Sequence, residues 1–212
     1  MSGGFFLVLE GPEGAGKTTL ASALAGRFRA AGQDPLQVRE PGGTPAAEEL
    51  RAVLLHPGGT LRAEQELLFM AAARGVLVMQ VIRPALERGG VVISDRYDLS
   101  TLAYQGAGRG LPMDQVSWVN QCATGGLFPD LTLILDVPPE VGLTRQVASG
   151  KIRDRLDRES IEFHQRVAAR YRDEQGPGVV HLDATLHPAA LAEEAWSAVL
   201  AARPAFAPAG AR

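Results

Sequence analysis

The chain has 212 residues, 46% hydrophobic and 21% charged, which suits one globular domain with a sizeable core and excludes a disordered or fibrous protein. A net charge of −3 gives no global field for nucleic acid or an acidic membrane surface, so an anionic ligand must be held by local groups. The single cysteine, Cys122, excludes an internal disulfide and a thiolate metal cluster, fits a reduced cytoplasmic compartment, and reads as a small core residue.

In chain order, Phe5–Glu10 reads as a buried strand, too short an apolar run for a signal-peptide core. A helix over 17–31 stops at Gly32, and a short strand follows at Leu36–Arg39. Helical patterns cover Pro45–Leu55 and 63–88, the latter ending at Gly89-Gly90. A third strand is expected at 91–94, helices at 98–105 and 113–123, and a fourth strand at Leu131–Asp136. Helices at Pro139–Ala148, 158–173 and Pro188–Ala202 surround a fifth strand at 179–182. No apolar run is expected to cross a bilayer. His56, His164, His181 and His187 show no metal-ligand spacing. Strands alternating with helices predict an α/β fold, a parallel sheet covered on both faces. The expected organisation is one domain over 1–202 with a lid at 149–158, and the Ala/Pro-rich segment 203–212 reads as a disordered tail.

Between the first strand and first helix lies Gly11-Pro12-Glu13-Gly14-Ala15-Gly16-Lys17-Thr18, followed by Thr19. It fits G-x-x-x-x-G-K-[ST] in the strand–loop–helix setting that the pattern requires. Glycines let backbone N–H groups wrap phosphate oxygens, and the helix start adds its positive end. Lys17 would place a charge on the β and γ phosphates of a nucleoside triphosphate, and Thr18 a hydroxyl on the bridging Mg²⁺. Glu13 is odd beside a polyphosphate. It either points away, toward a neutral donor such as a sugar hydroxyl, or is a solvent-facing loop acid.

Asp95-Arg96-Tyr97 follows the third strand, and strand ends of an open parallel sheet are where ligands sit. There Asp95 is placed to hold Mg²⁺ and Arg96 to clamp a phosphate, although an Asp-Arg pair also occurs as a plain ion pair. Tyr97, Thr101 and Gln105 are spaced by four, as are Ser100 and Tyr104, making a polar helix stripe suited to reading a base and sugar. Arg39-Glu40-Pro41-Gly42-Gly43-Thr44 is a second strand-end loop, and Arg51 lies two helical turns past Thr44. Arg74, on its helix, reads from its own spacing as solvated. Lys151, Arg153, Arg155 and Arg158 put four cations into eight residues after Ser149-Gly150: a mobile phosphate lid or a solvated charged loop.

Taken together, the loop Gly11 to Thr18, Arg39 to Thr44, Asp95-Arg96-Tyr97 and Ala103-Tyr104-Gln105-Gly106 resemble thymidylate kinases, in the order that family has them, over about 5–182. The resemblance implies a P-loop nucleoside-monophosphate-kinase fold with five parallel strands, ATP and dTMP as substrates, Mg²⁺, and a homodimer. It implies that Glu13 takes the deoxyribose 3′-hydroxyl, that Arg51 and Arg96 hold the acceptor phosphate, and that Glu40, Pro41 and Gln105 line the substrate. Arg74 would meet a thymine carbonyl, Thr101 the ring edge, and Tyr104 would crowd the sugar 2′ position. Gly14 stands where one subtype has a loop cation, so the chain resembles the subtype whose basic residues come from the lid, with Arg155 favoured over Arg153. The family's base-stacking phenylalanine position is Met70 here, one step after Phe69, and either residue is a candidate to cover the base. A kinase for another nucleoside monophosphate, or for a deoxynucleoside, and a non-kinase nucleotide switch are the alternatives. The absence of an Asn-Lys-x-Asp motif weakens a GTPase switch.

Overall fold

The computed structural model describes residues 3–150 and 152–207. Five strands, β1 (Phe5–Glu10), β2 (Leu36–Arg39), β3 (Val91–Asp95), β4 (Leu131–Asp136) and β5 (Val179–Asp183), form one sheet in the order β2-β3-β1-β4-β5, all parallel. Side chains of the central β1 alternate between two cores, as a period of two demands. Phe5, Leu7 and Leu9 join Leu24 and Phe28 of α1 (Lys17–Ala30) and Val199 of α9 (Pro188–Ala202). Phe6 and Val8 join Leu77, Ile82 and Tyr97 on the opposite face. A third cluster gathers Ile134 of β4 with Tyr104, Phe163, Val167 and Tyr171. At its centre the sheet is covered on both faces, which is why β1 and β3 read as nearly unbroken apolar runs, whereas the edge strand β2 is largely exposed.

The other helices are α2 (Pro45–Leu55), α3 (Ala63–Leu77), α4 (Arg83–Glu87), α5 (Asp98–Thr101), α6 (Met113–Thr124), α7 (Pro139–Ala148) and α8 (Ile161–Arg172). Thr44 caps α2 by accepting from the Ala47 N–H, and Ser160 caps α8 by accepting from the Phe163 N–H. The Ser160 cap explains why that helix starts at 161 and not at 158. The expected helix 63–88 is continuous but widens to a π-helix at Val78–Ile82 between α3 and α4. Pro84, at the start of α4, has no N–H to continue the α ladder, and a wide turn relieves its clash with the preceding one. The helix expected over 98–105 becomes π-helical at Leu102–Gly108. Gly108 lets α8 approach closely here: a Cβ on it would lie 2.6 Å from the Phe163 ring.

Three readings change. Cys122 is exposed on α6, not in the core. The run Ala63–Glu87 is long and apolar enough to cross a membrane by length and composition, yet it packs on the sheet and buries Glu66 in its first turn and Arg74 near its centre, so here it is a core helix. The segment after α9 is not all loose: Phe206 is buried edge-on against Phe5 and Phe28, and Arg203 donates to the Gly4 carbonyl at 3.0 Å. An aromatic side chain at the open edge of the core gains more by burial than the short segment loses in freedom. Residues 208–212 lie outside the described residues.

Candidate active site

Strand register brings three sequence-distant loops to one place. Leu9 of β1 and Arg39 of β2 both pair with Asp95 of β3. Beyond the ladder, the Arg96 N–H donates to the Leu9 carbonyl at 2.9 Å and the Glu40 N–H to the Asp95 carbonyl at 3.0 Å. The loops starting at Gly11, Glu40 and Arg96 thus leave the sheet side by side, next to the centre of the strand order.

In the first loop, α1 begins on Gly16 with no side-chain cap and no acid in its first turn, so its positive end faces the loop. Gly14 has a left-handed φ of 69°, and a Cβ there would lie 1.9 Å from the Gly142 carbonyl of α7. No side chain fits at Gly14 unless α7 moves, which excludes a loop cation at that position. The Lys17 ammonium donates to the Gly11 and Pro12 carbonyls at 2.9 and 2.8 Å. Burial, then the charge of Arg96, lowers its pKa to about 8. The Thr18 hydroxyl donates to Asp95 Oδ2 at 2.6 Å, joining a hydroxyl from the first turn of α1 to a carboxylate at the end of β3. Two hard oxygen donors suit Mg²⁺, which takes few protein ligands and completes its shell from water and phosphates. Among the described residues no group of three or more His, Cys, Asp or Glu is placed to hold a metal by itself.

Arg96 is the one non-glycine described with a left-handed φ, 77°. Such a backbone costs about 1–3 kcal/mol. It turns the guanidinium back toward the first loop. Nη1 donates to the Gly11 carbonyl, Ser100 Oγ and Tyr171 OH, each at 3.1 Å. Nη2 donates to Glu13 Oε1 at 2.6 Å and Tyr104 OH at 3.0 Å. Glu13 therefore faces a cation and the Tyr104 hydroxyl, and is neither a solvent acid nor repelled into isolation. Arg96 pairs with Glu13, not with its neighbour Asp95. Beneath this lies Glu10, fully buried, accepting from the Tyr97 and Ser100 N–H groups and from the Ser100 and Tyr171 hydroxyls. Burial raises its pKa, with Arg96 pulling the other way.

On the β2 side, Arg74 is buried, not solvated, at 1% exposure. Nε donates to Glu40 Oε2 at 2.7 Å, Nη1 to Thr101 Oγ1 at 2.8 Å and Asn120 Oδ1 at 2.7 Å, and Nη2 to the Tyr97 carbonyl at 2.8 Å. Those bonds use four of its five N–H donors. Burial pushes the Glu40 carboxyl up to about 7 against the pull of Arg74. Arg51 donates to the Pro41 carbonyl at 2.7 Å.

A cleft of about 490 Å³ runs along these loops. It is lined by Glu13, Gly14, Gly16, Lys17, Thr18 and Thr19 from the first loop and the start of α1; Glu40 and Pro41 from the second loop; Arg51 of α2; and Met70, Asp95, Arg96, Tyr104 and Gln105. Met70 is in this lining and Phe69 is not. Gly11, Pro12, Ala15, Arg74 and Thr101 stand behind the walls. Arg145, Gln146, Ser149 and Asp154 also line it, but neither Arg153 nor Arg155 does. Arg153 Nη2 donates to the Asp157 carbonyl, while Arg155 is engaged with Glu66 and the Leu54 carbonyl. The preference for Arg155 is thus not carried by the geometry. Lys151 lies outside the described residues.

Sequence reading missed Glu10, Glu66, Asn120 and Tyr171. Glu10 left a signal: an acid ending an apolar strand directly before the loop is buried at a ligand edge. Tyr171 and Asn120 come from helices far along the chain and left none.

A model of the thymidylate kinase family matches residues 9–195. The thymidylate kinase of Thermomicrobium roseum is 52% identical over 200 residues, 92% of this chain and 94% of the relative. That of Deinococcus radiodurans is 46% identical over 202 residues, 94% and 98% of the two chains. That of Pseudomonas putida is 50% identical over 169 residues, 79% and 80% of the two chains.

Proposed function

The chain belongs to the thymidylate kinase family, and on that premise we propose how its cleft carries phosphoryl transfer from ATP to dTMP, giving ADP and dTDP. The observation that supports the assignment of roles is the convergence of Lys17, the Thr18–Asp95 pair and Arg96 on one cleft that Arg51, Met70 and Gln105 also line. The loop Gly11–Thr19 takes the β and γ phosphates of ATP through its N–H groups and Lys17. Thr18 and Asp95 hold Mg²⁺, directly or through water; the ion, bound with ATP, supplies neutralisation of phosphate charge.

Arg51 and Arg96 hold the dTMP phosphate, which is already an anionic nucleophile and needs no strong base. Glu13, fixed by Arg96 and Tyr104, accepts from the 3′-hydroxyl, and the Tyr104 ring fills the space a 2′-hydroxyl would need. Met70 covers the base. Arg74 reaches a thymine carbonyl with its remaining Nη2 N–H, with Thr101 and Gln105 at the ring edge. Arg153, whose buried Nε has no hydrogen-bond partner, is the lid arginine assigned to the transferring phosphate. Catalysis then rests on alignment and fixed positive charge. A homodimer is part of the proposal: α3, the π-helical stretch after it and α6 expose Leu68, Met79 and Trp118, large apolar side chains suited to cover by a second copy. So is a cytoplasmic location, for which the single cysteine is the support.

The test is ADP formation from MgATP with dTMP, dUMP, AMP and CMP in turn. One methyl group separates dTMP from dUMP, so a preference of about fivefold to tenfold is expected between them. Turnover of AMP or CMP at or above the dTMP rate would overturn the assignment of the acceptor.

A further inference from the structure

Glu66 lies outside every role assigned above, yet it is fully buried and gathers three long side chains. Its Oε1 accepts from Arg155 Nη1 at 2.6 Å and lies 2.8 Å from Arg109 Nη2. Its Oε2 accepts from Gln105 Nε2 at 3.1 Å and Arg109 Nε at 3.2 Å. Each partner belongs to a different part of the molecule. Arg155 is in the lid, and its Nε and Nη2 also donate to the Leu54 carbonyl at the end of α2. Arg109 lies just past the π-helical stretch, stacks on Phe163 and pairs with Glu159 ahead of α8. Gln105 lines the cleft, and because a carboxylate only accepts, this bond fixes which end of its amide is turned to Glu66.

From this geometry we infer that Glu66 is a positioning residue, a post to which the lid is anchored through Arg155 while the same carboxylate fixes the base-side wall through Gln105 and Arg109. Arg155 is then a tether and not a phosphate-contacting group. Both its oxygen partners sit on the acceptor-side helices, and its side chain is only 11% exposed. Buried charge pairs of this kind are weak sources of net stability but are strongly position-defining, because breaking one leaves the other charge buried without its counter-ion. The tether holds the lid root against α2 and α3. Closure over ATP then starts from a fixed pivot, and Arg153, two residues earlier, arrives where the phosphates are. The inference rests on the proposed closure of the lid over phosphates for its kinetic consequence, but the anchor itself can be read without any nucleotide.

The experiment compares full-length parent, Arg155→Met, Arg155→Lys and Glu66→Gln, each confirmed as folded by circular dichroism. Amide exchange of the lid segment is followed in nucleotide-free protein, and kcat and KM for dTMP in the kinase assay. Arg155→Met should speed lid exchange about tenfold while helices α1 and α9 keep parent protection. It should lower kcat about tenfold with KM for dTMP within about twofold, since Arg51 and Arg96 are untouched. Arg155→Lys keeps the charge but cannot span Glu66 and the Leu54 carbonyl together, so its lid exchange should fall between the two. Glu66→Gln should show the lid effect and in addition raise KM for dTMP, because Gln105 is released as well. Parent lid exchange in Arg155→Met would overturn the anchor, whether or not Glu66→Gln folds. Faster exchange with parent kcat would overturn its role in catalysis. Absence of dTMP turnover by the parent itself would instead count against the function, leaving the exchange result to judge the anchor.

Discussion

A lysine ammonium hooked onto two carbonyls of its own loop and flanked by a part-buried arginine is a charge held ready at some cost. Burial and Arg96 together bring Lys17 down to about 8, whereas Glu13, Asp95 and Glu10 pull it back up. The phosphates of ATP favour the ammonium form. Below pH 8 the lysine is already charged, and affinity is flat; above it, each ATP bound takes up a proton, and affinity falls about tenfold per pH unit. Calorimetric titration of ATP across this range, in buffers of different ionisation enthalpy, measures both the affinity and the proton taken up. An affinity independent of pH with no proton uptake would contradict the assignment. At the same scale, Arg96 shows what a residue's number does not tell. Its position after a strand pointed to a phosphate clamp, but only its left-handed backbone turns it toward Glu13 and Gly11.

Between elements, His181 ties β5 to β4. Its Nδ1 lies 2.8 Å from Asp136 Oδ2 and its Nε2 2.8 Å from the Glu174 carbonyl. Both partners only accept, so the ring must carry both protons to satisfy them. Burial pulls its pKa down, but the bonds to Glu174 and Asp136 outweigh that and leave it raised. A raised pKa gives stability that is complete below about pH 6.5, the unfolded value, and is lost as pH climbs through the folded one. His181→Gln should therefore unfold at lower urea than the parent at about pH 6, with the gap narrowing toward about pH 9. A gap that does not change with pH would refute this. Elements also mark the limit of what spacing reveals. The strands were legible almost residue for residue: the central β1 and β3, buried on both faces, leave nearly unbroken apolar runs, and the edge strands fall between clear helix ends. The two π-helical stretches were not, because a helix widened by Pro84 or by glycines keeps the same composition as an ordinary one. Arg74 was misjudged for a related reason: its partners Glu40, Thr101 and Asn120 come from three other elements.

At the scale of the molecule, the loop motif carried most of the fold and much of the site. Once β1, the first loop and α1 are fixed, the parallel register places Asp95 and Arg39 beside Leu9. The lid stayed illegible, since four cations in eight residues do not say which is tethered. A surface is equally silent in sequence until helices are packed. With α3 and α6 in place, Trp118, Leu68 and Met79 are each more than half exposed. In sedimentation the parent should run as a dimer and Trp118→Glu as a monomer, since a charge at the centre of an apolar contact costs several kcal/mol. A monomeric parent would remove the dimer from the account. The central claim is that the cup of amides between β1 and α1, with Lys17 at its rim, holds the phosphoryl group in flight. Its most direct test is the rate of dTDP formation by Lys17→Ala at saturating MgATP and dTMP, with dTMP affinity measured alongside. A fall of about a thousandfold with dTMP binding retained is the predicted result, and turnover at the parent rate would contradict it.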